Sequence, residues 1–252
     1  MNTITIKNCT IGSGIPKICL PIVGTTIEEI CHQARSFSAY HSDLAEWRVD
    51  WFRDVDNPAQ VAEAAHALRR ILPDTPILLT FRTKEEGGVR TISTEDYINL
   101  NCFAARNGLA DALDVELFRG DAAVNRILTS ARVYHVAVVV SNHSFTKTPS
   151  KDEIVSRLLR AEALGGDILK IAVMPQSAQD VLKLLSATEE AHRLCSQPLI
   201  TMSMGGLGAV SRVSGEIFGS AVTFGAAGNA SAPGQIPADT LYQMLTALHH
   251  EE

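Results

Sequence analysis

The stretch "GGDILKIAVMP", residues 165–175, reads as the joint of a β/α repeat. Gly165 and Gly166 follow Leu164 at the end of a helix-period segment and stop it. Ile168, Leu169, Ile171, Ala172 and Val173 then form an apolar run of strand length, with Lys170 in its middle. An ammonium is expensive to desolvate, and burial lowers a lysine pKa by up to roughly 3–5 units. The side chain therefore either snorkels to water or belongs to a site that uses a lysine able to shed its proton.

Seven further runs surround this one: "KICLPIV" (17–23), "LAEWRVDW" (44–51), "PILLTFR" (76–82), "ALDVELF" (112–118), "HVAVVVSNH" (135–143), "PLITMSM" (198–204) and "SAVTFGA" (220–226). Helix signals lie between them. Thr26 with Glu29 and Ser150 with Glu153 have capping-box spacing, and Asn57-Pro58 is an N-cap with a first-turn proline. Ser177 opens "AQDVLKLLSATEEAHRL" and Pro237 opens "ADTLYQMLTALHH", whereas "AVSRVSGEIFG" (209–219) is short and glycine-broken. Eight strand–helix units in 252 residues predict an α/β fold, a (β/α)8 TIM barrel. A doubly wound open sheet is the alternative, but no G-x-G-x-x-G follows the first strand. The leading "TITIK" and "TIGSG" predict a β-hairpin that closes the barrel floor. No linker, charge run or repeat divides the chain, so residues 1–252 are expected to form a single domain.

A net charge of -6 without any run of Lys or Arg argues against a nucleic-acid partner. The five cysteines are odd in number and lack CxxC or Cys/His ligand spacing, which suits reduced thiols in a cytoplasmic protein. "MNTITIKNCT" has no signal-peptide pattern, and no apolar stretch approaches membrane-spanning length, so no membrane partner is expected.

Alternation within the strands assigns the polar residues to faces. Along "EWRVDW", Glu46, Arg48 and Asp50 share one face and Trp47, Val49 and Trp51 the other; the apolar face suits the helices, which turns Glu46 and Arg48 inward. Thr80 and Arg82 pair in the same way, and "TKEEGG" follows, with Glu86 in a loop at the C-terminal rim where such barrels hold their chemistry. Asp114 and Glu116 share a face and read as structural carboxylates that neutralise arginines. The fifth strand ends "SNH", so His143 lies at the same rim. On the sixth, the bulkier Leu169, Ile171 and Val173 suit the helix side and leave Lys170 pointing inward. Met202 and Met204 share a face with Ile200 and are polarizable neighbours for an amine. Glycine-rich "MGGLG" (204–208) reads either as a phosphate cradle or as a flexible lid, and "NASAPGQ" (229–235) offers Ser231, Gly234 and Gln235 as donors.

Taken together, "EWRVD", "TFRTKEEGG", "SNHSFTKTP", "LKIAVMPQ", "TMSMG" and "FGSAVTFG...ASAPGQ" resemble the type I 3-dehydroquinase family in their order along the chain. The resemblance implies a (β/α)8 barrel that dehydrates the small-molecule substrate 3-dehydroquinate to 3-dehydroshikimate in the shikimate pathway, with no metal or cofactor. It also implies a homodimer. By the same resemblance Lys170 forms the Schiff base, His143 is the general acid/base and Glu86 positions it. Arg212 matches the arginine that pairs with the substrate carboxylate. Glu46, Arg48, Arg82, Ser231 and Gln235 match substrate-contacting positions, Met202 and Met204 the pocket methionines, and Phe224 an aromatic wall. Pro21 stands where some members carry serine, which removes a hydroxyl contact, and "GGLGAV" is unusually rich in glycine.

The chemistry asks for a neutral amine at Lys170, and an apolar surround of Ile168, Ala172 and Met204, with arginines nearby, is expected to favour it. Glu46 is expected to serve as counter-charge to a buried arginine. Two rival readings keep part of this pattern. Another class I Schiff-base lyase or aldolase would use the same lysine on phosphorylated sugars, and a non-catalytic small-acid binding protein would have no need of it.

Overall fold

The computed structural model describes residues 3–227 and 234–249. A hairpin of β1 (Ile4–Ile6) and β2 (Cys9–Ile11) precedes β3 (Lys17–Ile22), and α1 (Ile27–Arg35) follows. The alternation then continues through β4 (Leu44–Arg48), α2 (Pro58–Ile71), β5 (Ile77–Thr80), α3 (Thr94–Arg106), β6 (Ala112–Glu116) and α4 (Asp121–Val133). Next come β7 (Ala137–Ser144), α5 (Lys151–Leu164), β8 (Ile168–Val173), α6 (Ala178–Leu194) and β9 (Leu199–Ser203). The seventh helical segment is split into α7 (Val210–Val213) and α8 (Gly215–Phe218), as the glycine-broken sequence predicts. β10 (Val222–Ala226), a two-residue β11 (Ile236–Pro237) and α9 (Ala238–Leu248) complete the order.

The fold is the expected (β/α)8 barrel with its N-terminal hairpin. β3 to β9 pair in sequence, all parallel, and β10 pairs with β3. The seam between β9 and β10 is a bridge at Leu199 and Ser220 rather than a long ladder. The Ala221 N–H donates to the Leu199 carbonyl at 2.7 Å, and the Thr201 N–H donates to Ser220 Oγ at 2.9 Å.

Partners in a parallel register face the same side, so the pairing assigns the interior. Arg48 lies beside Thr80, Thr80 beside Asp114, Ser141 beside Lys170, and His143 beside Ala172. Outward residues such as Leu20, Trp47, Leu79, Val140 and Leu169 join helix residues Ile30, Leu68, Tyr97, Leu158 and Leu184 in one annular core. A second apolar cluster lies inside the barrel. Cys19, Leu44, Leu78, Val139, Ile168, Ile200 and Val222 form its floor, and Ile6, Cys9 and Ile11 of the hairpin pack against them. Above this floor the inward positions become polar and hold the site.

Local signals place the helices. Thr26 Oγ1 accepts the Glu29 N–H, while the Glu29 carboxylate accepts from the N–H and hydroxyl of Thr25, one residue before the expected box. Asn57, Ser150 and Ser177 cap α2, α5 and α6, and Gly165, at φ +97°, ends α5. The predicted strand 44–51 is too long. It stops at Arg48, and Val49–Trp51 form a 3-10 turn, as Lys84–Glu86 and Leu117–Arg119 do after β5 and β6.

Candidate active site

Lys170 is only 3% exposed, which disposes of the snorkelling alternative. Its Nζ donates to Asp114 Oδ2 at 2.9 Å, lies 3.6 Å from Glu46 Oε1 and sits 4.6 Å from the centre of the Phe224 ring. The surround is therefore not the apolar one expected from Ile168, Ala172 and Met204. β4 and β6 carry carboxylates at inward positions, and the long lysine stem lifts the nitrogen to their level. Burial alone would raise the Asp114 carboxyl, but Arg82 and Lys170 outweigh it and hold the group well below the usual carboxylate range.

Arg82 binds this acid layer together. It donates to Asp114 Oδ1 at 2.7 Å, to Glu116 Oε1 at 2.9 Å and to Ser141 Oγ at 3.1 Å, and it lies 3.6 Å from Glu86 Oε2. Glu116 also accepts from the N–H and hydroxyl of Thr83. Asp114 and Glu116 thus neutralise an arginine, as their shared face predicts. Glu46 does not fill that role: its ion pair is with Lys170, and Thr80 Oγ1 donates to it at 2.9 Å. The carboxylate that holds Arg48 is Asp50, through two parallel bonds of 2.8 Å. The 3-10 turn after β4 curls Asp50 back over the strand end, where it also accepts the Arg82 N–H at 3.2 Å.

His143 Nδ1 lies 2.8 Å from Glu86 Oε2, and both side chains are almost fully buried. Burial pushes the Glu86 carboxyl up to about 8; Arg82 pulls the other way, and Glu116 and Asp114 add to the rise. Burial, then the charges of Arg82 and Lys170, hold the His143 imidazole well below 6.5. A neutral carboxyl facing a neutral ring is the form both shifts favour near pH 7. With Nδ1 engaged, Nε2 is the ring nitrogen left for chemistry. Phe145 stacks on His143 with ring centroids 6.3 Å apart, and Gly87 makes room for it, since a Cβ there would lie 2.3 Å from the Phe145 ring.

Glu46, Arg48, Arg82, His143, Phe145 and Lys170 line one cavity of about 710 Å³, counted out to its open mouth, while Glu86 is not in its lining and meets it through His143. Arg48, Arg82, Lys170, Phe224 and Glu46 come from barrel strands or their C-terminal ends, and His143 from the end of β7. Met202 and Met204 supply the apolar side from β9 and the residue just after it, and Gln235 reaches in beside β11. Arg212 enters from α7, 2% exposed, with Nη1 donating to the Phe224 carbonyl at 3.3 Å; burial lowers its pKa to about 10, so it stays charged at neutral pH. Of the expected site residues, Ser231 alone lies outside the described residues. Gly205 packs against Gly234, where a Cβ would lie 2.3 Å from the Gly205 carbonyl oxygen, and Gly208 packs against the Ser203 backbone. Among the described residues no group of three or more His, Cys, Asp or Glu is arranged to hold a metal ion.

The sequence signals used above leave out Gly87 and Phe145 from the lining and Asp114 as the partner of Lys170, whereas Ala172 lines the cavity beside Lys170 as expected. Phe145 has the same parity as His143, so alternation carried a signal for it. Asp114 was legible as inward but not as aimed at a lysine two strands away.

The sequence model of a family described as type I 3-dehydroquinase matches residues 18–252. The 3-dehydroquinate dehydratase of Listeria monocytogenes serotype 4a is 52% identical over 251 residues, covering 100% of both chains. The crystal structure of the type I 3-dehydroquinate dehydratase from Clostridium difficile with covalently modified comenic acid superposes with a TM-score of 0.95. It is 48% identical and covers 98% of this chain and 97% of that one. The 3-dehydroquinate dehydratase of Geobacillus kaustophilus HTA426 gives a TM-score of 0.95 at 41% identity, covering 98% of this chain and 96% of that one.

Proposed function

The chain belongs to the type I 3-dehydroquinase family and is a hydro-lyase, and on that premise we propose that it converts 3-dehydroquinate to 3-dehydroshikimate through a Schiff base on Lys170. The observation that carries this reading is the single cavity in which a buried amine, an imidazole and Arg212 meet at the C-terminal rim. Dehydration is the activity that the half-identical relatives are named for.

Arg212 binds the substrate carboxylate, for which a guanidinium offers two parallel donors. Arg48, Arg82, Glu46, Ser231 and Gln235 make the remaining polar contacts, while Met202, Met204 and Phe224 form the apolar walls. Lys170 attacks the ketone carbon as the neutral amine, and the carbonyl oxygen leaves as water carrying the proton that the ammonium gave up and one from the amine, so that overall ammonium and carbonyl become iminium and water. The iminium draws electrons from the neighbouring carbon and makes its hydrogen acidic.

His143 then moves the protons. His143 acts in the tautomer whose Nδ1–H faces Glu86 Oε2 across the 2.8 Å contact, which leaves the Nε2 lone pair as the acceptor. Nε2 next removes the hydrogen beside the iminium and returns one to the departing β-hydroxyl, which leaves as water. Hydrolysis of the product iminium restores Lys170. The phosphosugar aldolase reading has less support, because the relatives at about half identity are named 3-dehydroquinate dehydratase. A single-domain protein acting as a cytoplasmic homodimer belongs to the same proposal, and a solution mass of two chains is its expected signature.

The product is a conjugated enone, so turnover is read as growth of its ultraviolet absorbance on adding 3-dehydroquinate. Lys170→Met is expected to lower kcat by at least about 10³-fold, since removing a covalent nucleophile leaves only binding and electrostatics. Turnover near the parent rate in that variant would overturn the assignment.

A further inference from the structure

We propose that Asp114 is the fixed counter-ion of the Lys170 nitrogen, paired with it as ammonium and again as iminium, and that it aims the single iminium N–H. This rests on the Schiff-base reading above. In the condensation the amine nitrogen forms a bond to the carbonyl carbon and the carbonyl oxygen leaves as water. An ammonium and a ketone go in; an iminium and water come out. The positive charge is on the same nitrogen before and after.

The structure surrounds that nitrogen with a cation site. Asp114 Oδ2 accepts from Nζ at 2.9 Å, Glu46 Oε1 lies 3.6 Å away, and the Phe224 ring face lies at 4.6 Å. Asp114 is the member held by the most bonds. Its other oxygen, Oδ1, accepts from Arg82 Nη2 at 2.7 Å and from Ser141 Oγ at 2.6 Å, and the residue is fully buried. Tyr97 pins the backbone beside it, donating to the Asp114 carbonyl at 3.2 Å and accepting the Glu116 N–H at 3.0 Å. The low proton affinity of the carboxyl keeps it from taking the lysine proton, which suits a counter-ion and not a base.

An ammonium has three hydrogens to offer, and an iminium has one. If Asp114 Oδ2 keeps that one, the plane of the C=N bond is set by protein geometry. The carbon that loses its hydrogen is then held on one side, toward β7 and His143. Asp114 is in this sense a catalytic residue, because it touches the reacting nitrogen.

Asp114→Asn keeps the shape and one acceptor but removes the charge. It is expected to lower kcat by about a hundredfold, the size seen when a preorganised electrostatic contact is lost, with KM within about fivefold of the parent. Borohydride with 3-dehydroquinate is expected still to label Lys170 in this variant, so that chemistry after condensation is what slows. A kcat loss smaller than about tenfold overturns the proposal. Absence of label in the parent protein would instead sink the Schiff-base reading. Should Asp114→Asn fail to fold, Ser141→Ala takes its place by removing the 2.6 Å bond that orients the carboxylate. A fall in kcat of about fivefold or more with an unchanged thermal midpoint supports the role, and a smaller change overturns it.

Discussion

Glu86 is the residue in which burial and function are most closely joined. Its carboxyl pKa is raised from 4.5 to about 8, first by desolvation. A group whose pKa is higher in the folded chain contributes stability that is fully present below its unfolded value and is lost as pH rises through its folded value. Here that window runs from 4.5 to about 8. Glu86→Gln removes the titration, so its thermal midpoint relative to the parent is expected to rise between pH 5 and pH 8.5. A difference that stays constant across that range contradicts the assignment. His143, held low, titrates with the opposite sign and is common to both proteins. At this scale the sequence was informative about which way side chains point and only partly informative about which charges meet. Alternation along β4, β5, β6 and β8 turns Glu46, Arg48, Arg82, Asp114 and Lys170 inward. The pairing of Asp114 with Lys170, rather than with an arginine alone, depends on side-chain reach across the barrel. The pairing of Arg48 with Asp50 depends on a turn that strand parity does not describe.

The elements differ in how plainly their limits are written. Helix starts were legible because a cap is a local hydrogen bond: Asn57, Ser150 and Ser177 each accept from an N–H two or three residues on. Strand ends at the catalytic rim were not, because "LAEWRVDW" keeps an alternating pattern through the 3-10 turn at Val49–Trp51. The turn after β5 joins fold to chemistry most directly. Gly87 has φ +86° and leaves the space that the Phe145 ring occupies beside His143. Gly108, at φ +61°, has open space around the same position. Alanine in such a left-handed conformation costs ~1–2 kcal/mol. Gly108→Ala is therefore expected to lose stability of that order in urea titrations, and Gly87→Ala, with its clash against Phe145 added, more than that. Gly87→Ala alone is expected to lower kcat as well, by about tenfold, because the methyl group displaces Phe145 and the ring it supports. Equal kcat in the two variants would dissociate Phe145 from the site.

On the scale of the whole molecule, the barrel separates stability from chemistry along its axis. The hairpin and the lowest inward residues form an apolar floor, and the charged layer lies above it. Ile11 is fully buried in that floor, at the end away from the rim. Ile11→Ala is expected to cost about 2–5 kcal/mol in unfolding free energy while leaving KM within about twofold, with denaturant curves and steady-state rates as the two readouts. A large rise in KM would mean that floor and site are coupled. The central claim concerns the layer above. Reduction with borohydride during turnover of 3-dehydroquinate, followed by peptide mass mapping, reads it directly. A single ligand-derived mass on the peptide containing Lys170, absent without substrate and absent in Lys170→Met, is the expected result. An unlabelled Lys170 peptide, or label on another lysine, would contradict it.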